Sequence, residues 1–242
     1  MRKAIIAVAP LAILFTSPAW GQENGATDTE LVDHAAYGSL YDAIQGGFDK
    51  NRVIENQLVV VRSIWAEDPG MVSMEQQHPG LFDALVNAAR PVLMRQNTEI
   101  AQEYRPKFIA ALASVFSPAE AITVAEFYRS PIGTKMMQSL SANVESRATI
   151  EGGVKNGTID IDDVESDIKQ GADKVVNGLT AADQTELLRI FSSDPVYMKF
   201  PAIQSAMVPV RAAMERESMT PQRQREIEQT IAMAAQQHIS AQ

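Results

Sequence analysis

Apolar residues return every three to four positions along most of this chain, and no convincing run of alternating strand residues interrupts that rhythm. Thr27 and Glu30 are spaced as a capping box, so a first helix is expected from about Glu30 to Ile44, stopping at Gly46-Gly47. Ile54, Leu58, Val61 and Trp65 then follow at spacings of four, three and four, up to the expected turn Asp68-Pro69-Gly70. Val59-Val60-Val61 has strand composition, but Glu55 and Arg62 bracket it on a helical period. Leu81, Leu85, Ala89 and Val92 form the next stripe, with a kink expected at Pro91, and Phe108, Leu112 and Val115 continue it beyond Pro106.

The strongest start signal is Ser117-Pro118-Ala119-Glu120: serine as cap, proline at the first helical position, glutamate closing the box. The helix it opens ends near Arg129. Ser130-Pro131 opens another at once, with Ile132, Met136, Leu140 and Val144 on one face. A similar grammar returns later. Leu179-Thr180-Ala181-Ala182-Asp183 matches Phe116 to Glu120 in type, and Ser193-Asp194-Pro195 answers Ser130-Pro131 with one residue inserted. Val196, Phe200, Ile203, Met207, Val210 and Met214 follow, and a last helix starts at Thr220-Pro221 with Ile227, Ile231 and Ala234. Two copies of a short-helix, proline-corner, long-helix unit are one reading, and the resemblance that any two capped helix pairs share is the other.

The fold class this predicts is all-α, a multi-helix bundle-like fold with two related helix-pair units as one reading. Residues 30–242 form the expected helical domain, with halves at 30–151 and 158–242 meeting at the glycine cluster Gly152 to Gly157. Residues 1–21 read as a signal peptide: Arg2 and Lys3, an apolar stretch from Ala4 to Phe15, and small residues at Ala19 and Gly21 before expected cleavage at Gln22. That apolar stretch is too short for a membrane span, which takes roughly 20 residues. Residues 22–29 are expected to be a flexible mature N-terminus, and no span is expected after cleavage.

Charge and cysteine content narrow the function classes. The chain has 21 basic and 30 acidic residues, a net charge of −9, and loss of Arg2 and Lys3 takes the mature form to −11. An acidic chain without a basic stripe is a poor partner for nucleic acid. With no cysteine, thiol nucleophiles, Cys-based zinc sites, Fe–S clusters and lipoprotein attachment are excluded. The expectation is a soluble exported protein, periplasmic in location.

The segment Phe116-Ser117-Pro118-Ala119-Glu120-Ala121-Ile122, with Glu126-Phe127-Tyr128-Arg129-Ser130-Pro131-Ile132-Gly133-Thr134-Lys135 after it, resembles the exported bacterial proteins carrying the domain of unknown function 2059. That resemblance implies an all-helical periplasmic protein of a Gram-negative bacterium and brings no activity with it. The corner motif it marks is Phe127, Tyr128, Ser130, Pro131, Gly133 and Lys135. Its residues also have a local explanation: Ser130 caps, Pro131 presets the first turn, and Gly133 lets two helix ends approach closely. In the second copy Tyr197 stands where Gly133 would align.

Other chemistry is thin. Asn156 to Asp163 resembles half of an EF-hand loop, but Gly152 and Val154 fall where the first ligands belong, and acids at a helix N-terminus explain the rest. Ser166 and Lys169 have the spacing of penicillin-recognising acyl enzymes without the companion motifs. His34, His78 and His238 lie far apart, and His238 falls on an apolar stripe. Asp162-Asp163 and Glu215 with Glu217 read as solvated faces, and Met136, Met137, Met207 and Met214 as core filling. No catalytic, metal or cofactor-binding residue stands out, and no cofactor is called for. The leading expectation is a non-enzymatic envelope protein binding a protein partner or apolar ligand between amphipathic helices. The rival is a hydrolase of cell-envelope material with a dispersed site.

Overall fold

The computed structural model describes residues 35–143, 146–156, 160–217 and 220–242. The proposed signal peptide, residues 22–29, the Thr27–Glu30 box, His34 and Val144 lie outside the described residues. Among those described there is no strand, so the fold is all-α, built from many helices. They run in order α1 (Ala35–Gly46), α2 (Lys50–Glu67), α3 (Pro69–Gln77), α4 (Leu81–Val115), α5 (Pro118–Arg129) and α6 (Pro131–Asn143). Then come α7 (Arg147–Asn156), α8 (Ile161–Gly178), α9 (Ala181–Ser193), a 3-10 turn (Pro195–Lys199), α10 (Phe200–Glu217) and α11 (Pro221–Ser240).

Helix α4 is the spine. Its 35 residues span about 52 Å at 1.5 Å per residue. It runs unbroken through Pro91 and Pro106, where the sequence predicts a kink and a restart. Both prolines are exposed, so the carbonyls that lose their helical donor face water rather than the core. No single described helix is long and apolar enough to cross a membrane; α4 and α5 pass together only as a pair bent by 113°.

Two cores form along the spine. The N-terminal half of α4 packs Leu81, Leu85, Ala89 and Leu93 with Ile54, Leu58 and Trp65 of α2 and Ile227 and Ile231 of α11. The C-terminal half packs Phe108 and Leu112 with Tyr37, Leu40 and Tyr41 of α1 and Ala121 and Val124 of α5. Val196 and Val210 from the later part of the chain join this second core. The Tyr37 hydroxyl donates to the Phe116 carbonyl at 2.9 Å, fixing α1 to the α4–α5 joint.

Two local readings change. Asp68-Pro69-Gly70 starts α3 rather than a loop: the Asp68 carboxylate accepts from Met71 N and Pro69 occupies the first turn. Aspartate before proline thus acts as Ser117 does before Pro118. The glycine cluster expected to link two halves is helical as far as Asn156, because Gly152 is buried in the body of α7, and its remainder, Gly157 to Ile159, lies outside the described residues.

Candidate functional site

The corner between α5 and α6 is built from capping chemistry. Ser117 and Glu120 form a complete capping box at the start of α5. At its other end the Ser130 hydroxyl donates to the Phe127 carbonyl at 2.6 Å and accepts from Gly133 N at 3.1 Å. Pro131 supplies the first residue of α6, and Thr134 N donates to the Ser130 carbonyl at 2.9 Å. This folds the start of α6 onto the end of α5 so tightly that a Cβ on Gly133 would lie 2.0 Å from the Phe127 carbonyl oxygen. Only glycine fits there.

The later stretch repeats the pattern with one change. Thr180 and Asp183 form the capping box of α9. With Tyr197 in place of a glycine the following turn cannot nest against α9. Asp194 is inserted, its carboxylate accepts from Val196 N at 2.9 Å, and the chain passes through a 3-10 turn before α10 begins. The side chain that replaces the glycine is put to use: Tyr197 joins Phe191 and Phe200 around Phe127, whose ring centroid lies 5.5, 5.6 and 5.8 Å from those of Phe191, Tyr197 and Phe200. Tyr128 stacks nearly parallel to Phe200 at 6.2 Å.

Across this aromatic joint the charges cross over. Lys135, four residues after Pro131, pairs with Asp183 of the later capping box. Lys199, four residues after Pro195, pairs with Glu120 of the earlier box at 2.8 Å. Each lysine therefore holds the cap of the other stretch. The Lys199 ammonium and the capping amide of Ser117 hold the Glu120 carboxyl at about 2, and Lys135 with Thr180 does the same for Asp183.

A second polar cluster lies in the interior. Asp167 of α8 accepts from Ala148 N, Thr149 N and Thr149 Oγ1 at 3.0, 2.9 and 2.7 Å, which caps α7 from outside its own chain segment. Nearby Glu215 is buried, against the solvated face expected for it. Arg211 lies one turn before it at 3.5 Å, without hydrogen-bond alignment. Burial pushes the Glu215 carboxyl up to about 8, overriding the opposing pull of Arg211. Met137 and Met214 fill core, whereas Met136 and Met207 are only partly covered.

A groove of about 850 Å³ lies between α8 and α10. Ile161, Pro201, Val208 and Pro209 form its apolar walls, and Asp162, Ser166, Lys169 and Ser205 its polar positions. Pro209 has no N–H, so the carbonyl of Ser205, four residues earlier, is left without its helical donor at the groove. Sequence reasoning put Ser166 and Lys169 on one helix. Among the described residues no hydrogen bond joins them, and Ser166 Oγ instead accepts from Gln170 Nε2 at 3.2 Å. Asp162 and Asp163 sit in the first turn of α8, and no group of three or more acidic or histidine side chains among the described residues is arranged to hold a metal. His78 and His238 both reach Gln242, at 3.0 and 3.1 Å, an approach nothing in their spacing foretells.

Fold and corner together define an all-helical protein organised on capped proline corners. Residues 102–144, the end of α4 with α5 and α6, match the family described as an uncharacterized protein conserved in bacteria, the domain of unknown function 2059. No curated protein and no solved structure matches the chain.

Proposed function

We propose that the protein is a non-enzymatic, exported protein of the bacterial envelope that holds an apolar polypeptide segment in the groove between α8 and α10. The groove carries this reading. Its volume of about 850 Å³ lies in the range of sites that enclose ligands, and its walls are apolar where Ile161, Pro201, Val208 and Pro209 meet. The Ser205 carbonyl adds an acceptor that suits a backbone N–H, which a polypeptide offers and a hydrocarbon chain does not. Export is supported by the charged, apolar and small-residue pattern of residues 1–21.

Hydrolysis is the second reading, because Ser166 and Lys169 share the groove. A nucleophilic serine needs a base within hydrogen-bond reach, and Lys169 makes no such bond among the described residues. Isothermal titration calorimetry on the unlabelled chain tests the groove. Titration with an extended leucine- and valine-rich peptide is expected to give a saturable signal, which Ser166→Trp abolishes and Ser166→Ala leaves intact. Saturation by dodecanoate and not by the peptide would mean a lipid ligand. No response to either would remove the groove from the account.

A further inference from the structure

Five of the six corner residues have a structural role. Phe127 centres the ring cluster, Ser130 and Pro131 start α6, Gly133 admits the Phe127 carbonyl, and Lys135 pairs with Asp183. Tyr128 stands apart. Its ring stacks on Phe200, yet its hydroxyl makes no hydrogen bond among the described residues. Beside it, Arg129 donates through Nη2 to the carbonyl and hydroxyl of Ser39, at 2.9 and 2.7 Å. Both acceptors are neutral, and no carboxylate pairs with Arg129 among the described residues, although the chain as a whole carries a net charge of −9.

Tyr128 and Arg129 line one open cleft of about 360 Å³ with Thr134 and the end of α1, where Asp42, Gly46 and Gly47 stand. Asp42 is already compensated: Arg105 Nη2 donates to both of its oxygens at 3.1 Å. The uncompensated charge at the cleft is therefore positive. Gly46 lines the cleft, and a Cβ there would meet nothing within 4 Å, so a larger side chain has room at that position.

We propose that this cleft binds a small carboxylate, held by the Arg129 guanidinium and the Tyr128 hydroxyl. With Nη2 engaged by Ser39, the guanidinium keeps its Nε and Nη1 hydrogens as charged donors for the carboxylate, and the tyrosine adds a further donor. The carboxylate belongs to a free small acid or to the end of a peptide chain. The site is independent of the α8–α10 groove, so either can fail without the other.

Heteronuclear NMR titration of the purified protein with acetate, acetyl-dialanine and acetyl-dialanine amide tests it. The free acid is expected to shift Tyr128, Arg129 and Thr134 amide resonances saturably, and the amide to bind at least about tenfold more weakly. Tyr128→Phe is expected to weaken the acid by roughly tenfold, since it removes one hydrogen bond to a charged group. Gly46→Leu is expected to abolish binding by filling the cleft, with the urea midpoint showing that the variant is folded. Acetate binding as well as acetyl-dialanine would identify a free acid, and a clear preference for acetyl-dialanine a chain end; both support the site. Equal binding of acid and amide, no binding of any probe, or unchanged binding in Gly46→Leu would overturn it.

Discussion

At Gly133 the space for one methyl group is missing, since a Cβ would sit 2.0 Å from the Phe127 oxygen and 2.9 Å from the Tyr128 Cα. Both obstacles are backbone, so no side-chain rotation relieves them, and Gly133→Ala is expected to destabilise the protein by at least about 2 kcal/mol through the forced shift of α6 against α5. A urea midpoint equal to wild type would show that the corner opens without cost. Glu215 supplies a second expectation at this scale. Its carboxyl is raised from 4.5 to about 8 by burial, so between those values the native state keeps a proton that the unfolded chain releases. Stability therefore falls as pH rises through that window and levels above it. Glu215→Gln should flatten the slope between pH 5 and 8 and raise the melting temperature at pH 8; a slope unchanged from wild type would mean that another group sets it. The burial was illegible in the sequence, because Glu215 beside an exposed Arg216 and Glu217 has the look of a solvated face. Which side of α10 meets α8 is decided by packing over long separations, and one helix carries no record of it.

At the scale of elements, caps and corners were the most legible features, because they join residues three or four positions apart. Ser117 with Glu120 and Thr180 with Asp183 close boxes where spacing alone predicts them. Helix α3 was missed although Asp68-Pro69 speaks the same local language, since a proline followed by glycine reads more readily as a turn. Gly152 and Gly153 misled for a similar reason: glycines that read as a linker are tolerated in the body of a helix, where Gly152 is buried. What no local pattern announced is the crossing of Lys135 to Asp183 and Lys199 to Glu120. These carboxyls sit at about 2, below their ordinary values, so the stability they confer is present above those ordinary values and is lost as pH falls towards 2. Replacing both acids by their amides should reduce the acid-induced loss of stability between pH 4.5 and 2, measured by thermal melting. In a double-mutant cycle Lys135→Ala and Asp183→Asn should couple, and Lys135→Ala with Glu120→Gln should not. Coupling of the second pair, or none in the first, would contradict the crossed arrangement.

At the scale of the whole molecule, one long helix carries two cores, and the family-matched stretch occupies only the second with α5 and α6. The helical class was legible throughout because periodicity of apolar positions is a property of the chain itself. The groove between α8 and α10 was not, because its walls come from Ile161 and from Pro201 and Val208, some forty residues apart in sequence. That groove is where the account of function rests. Native mass spectrometry of the protein purified from the bacterial envelope, set beside the same sample denatured and beside Ser166→Trp, tests it directly. The account predicts a polypeptide adduct that is lost on denaturation and missing from the variant. A bare chain mass in the native spectrum, or an adduct that persists in Ser166→Trp, would contradict it.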